Sequence, residues 1–140
     1  MNIPNLDQKA AQYAQKIIAA SLEKGSAKEV ENLITKTLGV LQEQGIYAMI
    51  LFLFSRTSKE EKIAPAVRTQ LYDLLKELSS FANIEDENIP QAKANAEDVL
   101  RFFSDTICDN LNTLLLVKDV YEQTLIYARY SAKAANKESA

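Results

Sequence analysis

Apolar residues recur every three or four positions along most of the chain, a spacing typical of amphipathic helices. The pattern predicts a first helix from about Leu6 to Leu22, which we expect Gly25 to end in a left-handed C-cap conformation. A second helix starts at the capping-box sequence Ser26-Ala27-Lys28-Glu29 and stops at Gly45, and Gly39 within it suggests a close helix crossing. The predicted core stripes are Leu6, Ala10, Tyr13, Ala14, Ile17 and Ile18 in the first helix, and Val30, Leu33, Ile34, Leu38 and Leu41 in the second.

Nine successive apolar residues, Ile46 to Phe54, interrupt this alternation and end at Ser55-Arg56. The run is too short to span a bilayer, which takes about 20 apolar residues as a helix. A strand is the competing interpretation, because several residues are β-branched or aromatic. The helical surroundings favour a helix over about 46–55. Since it is apolar all round, we expect burial on every side, at the centre of a bundle, with Arg56 marking the return to the surface.

The next helix carries two local signals. Ser58-Lys59-Glu60-Glu61 has the pattern of a second capping box. Pro65 either kinks this element or opens a longer helix that runs to about Phe81, because proline is unfavourable by about 3 kcal/mol in a helix interior. The inward positions are predicted to be Val67, Leu71, Leu74, Leu75 and Leu78.

An acidic connector is expected over residues 81–89. Pro90 then suits the first turn of a helix that runs to about Cys108. The inward positions of that helix are predicted to be Ala92, Ala96, Val99, Leu100, Phe103 and Ile107.

The last helix is predicted from Leu111 to about Ala135, with Asp109 or Asn110 as its N-cap. Its core stripe is predicted to be Leu114, Val117, Tyr121, Leu125, Ala128 and Ala132. The tail 136–140 is expected to fray. The whole pattern predicts an all-α fold, a single-domain bundle of about five to seven helices spanning residues 1–140.

Composition agrees with a globular chain, because 47% of the 140 residues are apolar and 25% are charged. The single cysteine and the absence of signal-peptide and transmembrane patterns predict a cytoplasmic protein with no membrane partner. The net charge is −3, but it is unevenly distributed: residues 81–110 carry −5 and the rest of the chain +2. Outside the acidic segment, the chain has enough cations for a basic face.

Catalytic groups are scarce. The chain has no histidine and one cysteine, which argues against zinc sites and the usual Ser-His or Cys-His nucleophile pairs. The glycines are isolated, so no phosphate-binding loop is present. We interpret Glu85-Asp86-Glu87 as a solvated loop and Cys108 as a buried structural thiol. The sequence therefore predicts no enzyme, no cofactor and no metal site.

Two groups of cations are candidates for ligand binding. On a helical wheel, one quadrant of the last helix carries Lys118, Arg129, Lys133 and Lys137. Tyr130 adjoins this quadrant, and an exposed tyrosine beside cations suits phosphate neutralisation and base stacking on single-stranded nucleic acid. The alternative is a solvated face whose tyrosine packs on a neighbouring subunit, since Glu122 shares the quadrant.

The second group consists of Arg56, Lys59, Lys62 and Arg68, directly after the apolar run. Glu60 and Glu61 dilute its charge. The alternative here is ordinary helix capping and solubility.

The segment GIYAMILFLFSR at 45–56, the segment YARYSAKA at 127–134, and Gln8, Ala11 and Ala14 in the first helix together resemble the small helical subunit of type III CRISPR effector complexes. In that family a Gly-Leu pair leads into an apolar helix with a phenylalanine, which ends in an aromatic residue, a serine and a cation. The segment GIYAMILFLFSR resembles it, with Phe52, Phe54, Ser55 and Arg56 in those places. YARYSAKA, at 127–134, is similar to the family's closing aromatic-basic helix, and Gln8, Ala11 and Ala14 are similar to its first helix. Ala48-Met49 stands where the family often has Gln-Thr, and the family's frequent C-terminal tryptophan is absent.

The resemblance implies a non-catalytic subunit of an antiviral ribonucleoprotein. Copies would stack along the complex, beside other effector subunits that hold the guide RNA, and basic faces would line the channel for single-stranded target RNA. Cations would neutralise phosphates while base pairing to the guide supplied sequence recognition. The predicted RNA-binding residues are Arg56, Lys59, Lys62, Arg68, Arg129, Tyr130, Lys133 and Lys137.

The alternative from another class is a helical protein–protein adaptor or homodimer with no nucleic-acid role. Geometry discriminates the two hypotheses. The RNA hypothesis predicts that the cations of 56–68 and those of 129–137 share one face. The adaptor hypothesis predicts scattered cations and a contiguous exposed apolar patch.

Overall fold

The computed structural model describes residues 5–139 and contains only helices and turns in that range. The α-helices are α1 (Leu6–Leu22), α2 (Ala27–Gln44), α3 (Ile46–Phe54), α4 (Ser58–Leu78), α5 (Ala96–Phe102) and α6 (Leu111–Ser139). A 3-10 turn lies at Asp86–Asn88, and a π-helical turn at Phe103–Ile107 follows α5 directly. The predicted all-α, single-domain helical bundle is confirmed.

Four helices, α1, α2, α4 and α6, surround the core, and the packing of each helix on the others defines how they are arranged. Both α4 and α6 pack on α1 and on α2, while α4 and α6 make little backbone contact with each other. We conclude that α4 and α6 lie at opposite corners of the bundle. Tyr121 of α6 crosses the centre, where its fully buried hydroxyl donates a hydrogen bond to the Leu71 carbonyl of α4 (2.9 Å).

The first two helices have the bounds that the apolar pattern predicts. The Ser26 hydroxyl accepts a hydrogen bond from the Glu29 amide (3.2 Å), and the Glu29 carboxylate accepts one from the Ser26 amide (2.8 Å). This reciprocal pair is the predicted capping box, and it satisfies two amides at the start of α2. All predicted core positions of both helices are buried except Leu6, which is half-buried.

The three glycines have different roles. Gly25 is not left-handed, so the predicted C-cap role is wrong. A Cβ atom there would lie 2.5 Å from Cδ1 of the buried Ile63, so the glycine permits close approach to α4. Gly39 has no neighbour within 4 Å of a Cβ position, so the predicted close crossing is wrong at this residue. Gly45, with φ 98° and ψ −178°, ends α2 as predicted.

These glycines make a matched pair for a stability test. We expect Gly39→Ala to raise the free energy of unfolding by about 0.5–1 kcal/mol, because alanine favours a helix interior and the site has room. We expect Gly45→Ala to lower it by about 1–3 kcal/mol, because this backbone region is essentially restricted to glycine. Urea denaturation of both variants checks the opposite signs. If both variants changed the free energy of unfolding in the same direction and by the same amount, the assignment of strain to Gly45 would be contradicted.

The apolar run forms a helix, but it is not buried on every side. Its inward residues are Ile46, Met49, Ile50 and Leu53, all at most 2% exposed. Tyr47 and Leu51 are 41% and 47% exposed. The reason is the position of α3, which packs on α2, α4 and α5 and leaves its remaining side uncovered. Burial on every side is therefore a wrong prediction.

The start of α4 also differs from expectation. Thr57 is the N-cap residue without a side-chain hydrogen bond, and Ser58 already lies inside the helix, so the second capping box is wrong. Glu60 instead forms ion pairs with Arg56 (3.2 Å) and Lys36 (3.0 Å). Pro65 lies within the helix, which excludes the alternative that it opens a new one. The predicted inward positions of α4 are all buried: Val67, Leu71, Leu74, Leu75 and Leu78.

The connector is longer than the predicted 81–89, because α5 begins only at Ala96. Asn95 is its N-cap, with a side-chain oxygen that accepts a hydrogen bond from the Asp98 amide (2.8 Å). Pro90 is buried outside the helix, and Ala92 is exposed. The predicted start at Pro90 is therefore wrong, since the asparagine cap rather than the proline begins the helix.

The last helix is capped by Asn110, whose side chain accepts a hydrogen bond from the Thr113 amide (3.1 Å). The helix continues to Ser139, so the predicted fraying of 136–140 is wrong as far as the described residues extend; Ala140 lies outside them. A contact with α2 explains the extension, because the side-chain amide of Asn136 donates a hydrogen bond to the Glu31 carboxylate (3.1 Å). The predicted core stripe is buried, apart from half-buried Leu114.

Candidate nucleic-acid interface

The C-terminal half of α6 presents cations on its outward side. We call Arg129, Tyr130, Lys133 and Lys137 the C-terminal stripe. Ala128 and Ala132, on the opposite side of the same turns, are fully buried in the core. This packing fixes the helix rotation and leaves every member of the stripe exposed, with Tyr130 at 67%.

The three cations of the stripe stand one helical turn apart. Their Cα atoms are therefore spaced by about 6 Å along the helix axis. None of them takes part in the ion pairs found within residues 5–139. Lys118, which the wheel places in the same quadrant, is half-buried nearer the start of the helix, as is Glu122. The stripe is thus a short row of positive charge with one exposed aromatic ring beside it.

In the second group, Arg56 has a structural role at the end of α3. Its Nε donates a hydrogen bond to the Phe52 carbonyl (2.9 Å), and its guanidinium lies over the Phe52 ring (3.6 Å). Its Nη1 pairs with Glu60 (3.2 Å). The guanidinium therefore helps to cap the Phe52 carbonyl, which also accepts hydrogen bonds from the amide and the hydroxyl of Ser55, and it is compensated by a carboxylate.

Arg68 joins α4 to α3 in a similar way. Its Nη1 donates a hydrogen bond to the Leu53 carbonyl (3.0 Å), and its guanidinium lies over the Phe54 ring (4.0 Å). Burial lowers the pKa of Arg68 and raises the pKa of neighbouring Tyr72 to about 12, and the positive charge of Arg68 partly offsets the latter shift. The side chain holds two helices together.

The lysines of the second group differ from each other. Lys59 pairs with Glu29 (3.4 Å), although its side chain stays 83% exposed. The Ser26 amide and, to a smaller degree, Lys59 lower the pKa of Glu29. Lys62 is exposed and has no ion pair within the described part of the chain. Of this group, Lys62 most resembles the cations of the C-terminal stripe.

The two groups of cations do not share a face. The start of α4 lies beside Glu29 and Lys36 of α2, whereas the end of α6 is tied to Glu31. A rotation of about 200° around α2 separates Glu29 from Glu31, so their side chains point to nearly opposite sides of that helix. Because α4 and α6 also occupy opposite corners, the expectation of one common basic face is wrong.

Exposed apolar side chains occur in more than one place. Tyr47 and Leu51 lie on α3, while Leu111 and Leu115, 66% and 50% exposed, lie one turn apart at the start of α6. The apolar pattern predicted neither the exposed pair on α3 nor the exposed pair on α6. For the leucines the available signal was their i, i+4 spacing outside the predicted core stripe.

The groups considered for metal or thiol chemistry are at the surface. Glu85, Asp86 and Glu87 are exposed, and residues 5–139 contain no cluster of His, Cys, Asp or Glu suited to a metal ion. Cys108 is exposed, so its predicted burial is wrong, because it lies in the turn after the π-helical segment. Partial burial still raises the pKa of its thiol. No helix in the described part of the chain is long and apolar enough to cross a membrane.

The fold and these surfaces define a class, an all-α helical bundle with a basic, tyrosine-bearing stripe on its last helix. No protein-family model, curated protein sequence or solved structure matches the chain.

Proposed function

We propose that this chain is a non-catalytic, cytoplasmic subunit of a type III CRISPR ribonucleoprotein effector, in which the C-terminal stripe contacts the backbone of guide or target RNA. One observation carries the RNA part of the proposal: Arg129, Lys133 and Lys137 stand in a row, exposed and without ion pairs in the described residues. The resemblance of segments 45–56 and 127–134 supports the effector part.

The stripe is suited to recognition that ignores sequence. Cations that neutralise phosphates release condensed counterions, which favours binding to any strand. Tyr130 offers a ring on which an unpaired base can stack. Sequence selection would come from base pairing between guide and target, so the protein needs no groups that read base edges.

The predicted RNA-binding residues have unequal roles in this proposal. We assign the principal contacts to Arg129, Lys133 and Lys137, with Tyr130 stacking. Lys59 and Lys62 would add charge on the opposite side of the bundle, toward another strand or subunit. For Arg56 and Arg68, RNA binding stays a prediction in addition to their structural contacts with α3.

Fluorescence anisotropy with a labelled single-stranded RNA of mixed sequence tests the RNA part. We expect binding that weakens as salt rises, with a slope of log K against log salt near −2 if three phosphates are contacted. Two RNAs of unrelated sequence should bind equally. Absence of binding at low salt, or binding that is insensitive to salt, would contradict the proposal.

A second candidate, an adaptor or homodimer without nucleic acid, is supported by two observations: the two groups of cations lie on different faces, as this hypothesis predicts, and α3 and α6 carry exposed apolar positions. It predicts association through Leu51 or Leu115 and no RNA binding in the same assay. The anisotropy experiment therefore separates the two functions.

A further inference from the structure

One side of α3 is uncovered and carries no charged side chain, and its one polar atom is the hydroxyl oxygen of Tyr47. Tyr47 and Leu51 are exposed, and Ala48, Phe52 and Phe54 are half-buried beside them. We call these five residues the α3 face. A helix side composed only of apolar and aromatic groups, in a chain with a quarter of its residues charged, is typical of a surface that another protein covers.

The edges of the α3 face are positively charged. Arg56 lies over Phe52 and Arg68 lies over Phe54, so each guanidinium borders an aromatic member of the face. Glu60 compensates Arg56, but no carboxylate within the described residues pairs with Arg68. The face would thus favour a partner with an apolar ridge and nearby carboxylates.

The chain carries such a ridge at the start of α6. Leu111 and Leu115, one helical turn apart, are the leucines with the largest exposed fractions in the described residues. We call this pair the leucine ridge. Its acidic neighbours are exposed Asp109 and Asp119 and half-buried Glu122, against the single cation Lys118. None of the three acids forms an ion pair within residues 5–139.

We propose that the α3 face of one copy binds the leucine ridge of a second copy. Leucine side chains would cover Leu51 and Tyr47, and carboxylates of the second copy would approach Arg68. Pairing of two α3 faces is disfavoured, since it would bring Arg56 and Arg68 of both copies together. The inference rests on the self-association included in the proposed function, and it does not require RNA.

Two different surfaces make this contact, so its symmetry is head to tail. After pairing, one copy keeps a free ridge and the other keeps a free α3 face, so association continues unless the geometry closes a ring. The apolar parts are small beside the roughly 800 Å² per partner that a standard stable complex buries. We therefore expect a weak, concentration-dependent association of the isolated chain, favoured by low salt.

Sedimentation velocity of the full chain without RNA tests the proposal. We expect Leu51→Ser, and separately the double variant Leu111→Ser/Leu115→Ser, to weaken association at least about tenfold, because each removes an apolar contact. All three leucines are exposed enough for the fold to persist, which circular dichroism checks. Leu22→Ser, at an exposed leucine of α1 (39%), is the matched control and should associate like the parent chain.

Mixing the two variants gives the sharpest result. One retains an intact ridge and the other an intact α3 face, so the mixture should form a one-to-one dimer that cannot grow. No dimer in the mixture, or loss of association only in Leu51→Ser, would overturn the head-to-tail contact. A parent chain that stays monomeric at about 1 mM in low salt would overturn it as well. RNA affinity, measured separately on the same variants, should be unchanged, so failure here is distinguishable from failure of RNA binding.

Discussion

Neutralising the C-terminal stripe with Arg129→Gln, Lys133→Gln and Lys137→Gln is expected to weaken binding of single-stranded RNA about 100-fold at 0.1 M salt. For single strands, each phosphate contact adds about 0.7 to the magnitude of the slope of log K against log salt. Loss of three contacts should therefore reduce the magnitude of that slope by about 2. The loss should be the same for RNAs of unrelated sequence. All three side chains are exposed, so the fold should be unaffected.

A charge-matched variant separates local contacts from net charge. Lys28→Gln, Lys76→Gln and Lys93→Gln remove the same charge from three separate surface positions. We expect this variant to retain most of the affinity and the salt slope. If both triple variants lose affinity equally, the stripe is not a binding site and only overall charge matters.

Replacing Tyr121 by alanine is expected to lower the free energy of unfolding by about 3–5 kcal/mol, the usual cost of removing a buried aromatic side chain. The side chain is fully buried, and its hydroxyl reaches from α6 to the Leu71 carbonyl of α4. Its burial also raises the pKa of the hydroxyl well above the usual value. Tyr121→Phe keeps the ring and should lose only about 1 kcal/mol, for one hydrogen bond.

Urea denaturation, followed by circular dichroism, measures both effects. Tyr130→Ala is the control, because this tyrosine is 67% exposed and its removal should change stability by about 0.5 kcal/mol or less. Similar losses for Tyr121→Ala and Tyr130→Ala would contradict the assignment of Tyr121 to the centre of the bundle.

The apolar periodicity predicted most of the helices, because residues on one face of a helix recur at a fixed spacing. It was reliable for α1, α2 and the core stripe of α6, where the buried positions follow the 3.6-residue period. It failed where a choice depends on tertiary neighbours. Burial of α3 depends on which helices reach it, and the start of α5 depends on Asn95 rather than on the more conspicuous Pro90.

For the candidate site, too, the sequence predicted some features and missed those that depend on tertiary neighbours. Charge and wheel position identified the stripe on α6, and all four of its residues are exposed. The sequence does not reveal which cations find partners inside the fold. Arg56 and Lys62 are both cations of the same short segment, yet Arg56 caps α3 while Lys62 stays exposed. Pairing across helices depends on a register that only the folded chain defines.

The most direct test of the central claim is purification of the tagged chain from its native host, at low and then at high salt, with sequencing of the RNA that remains bound. The proposed function predicts recovery of short guide RNAs together with larger partner subunits, and loss of RNA or of the complex when the stripe is neutralised. Recovery of the chain alone, or with an unrelated partner and no guide RNA, would contradict the effector-subunit proposal and favour the adaptor.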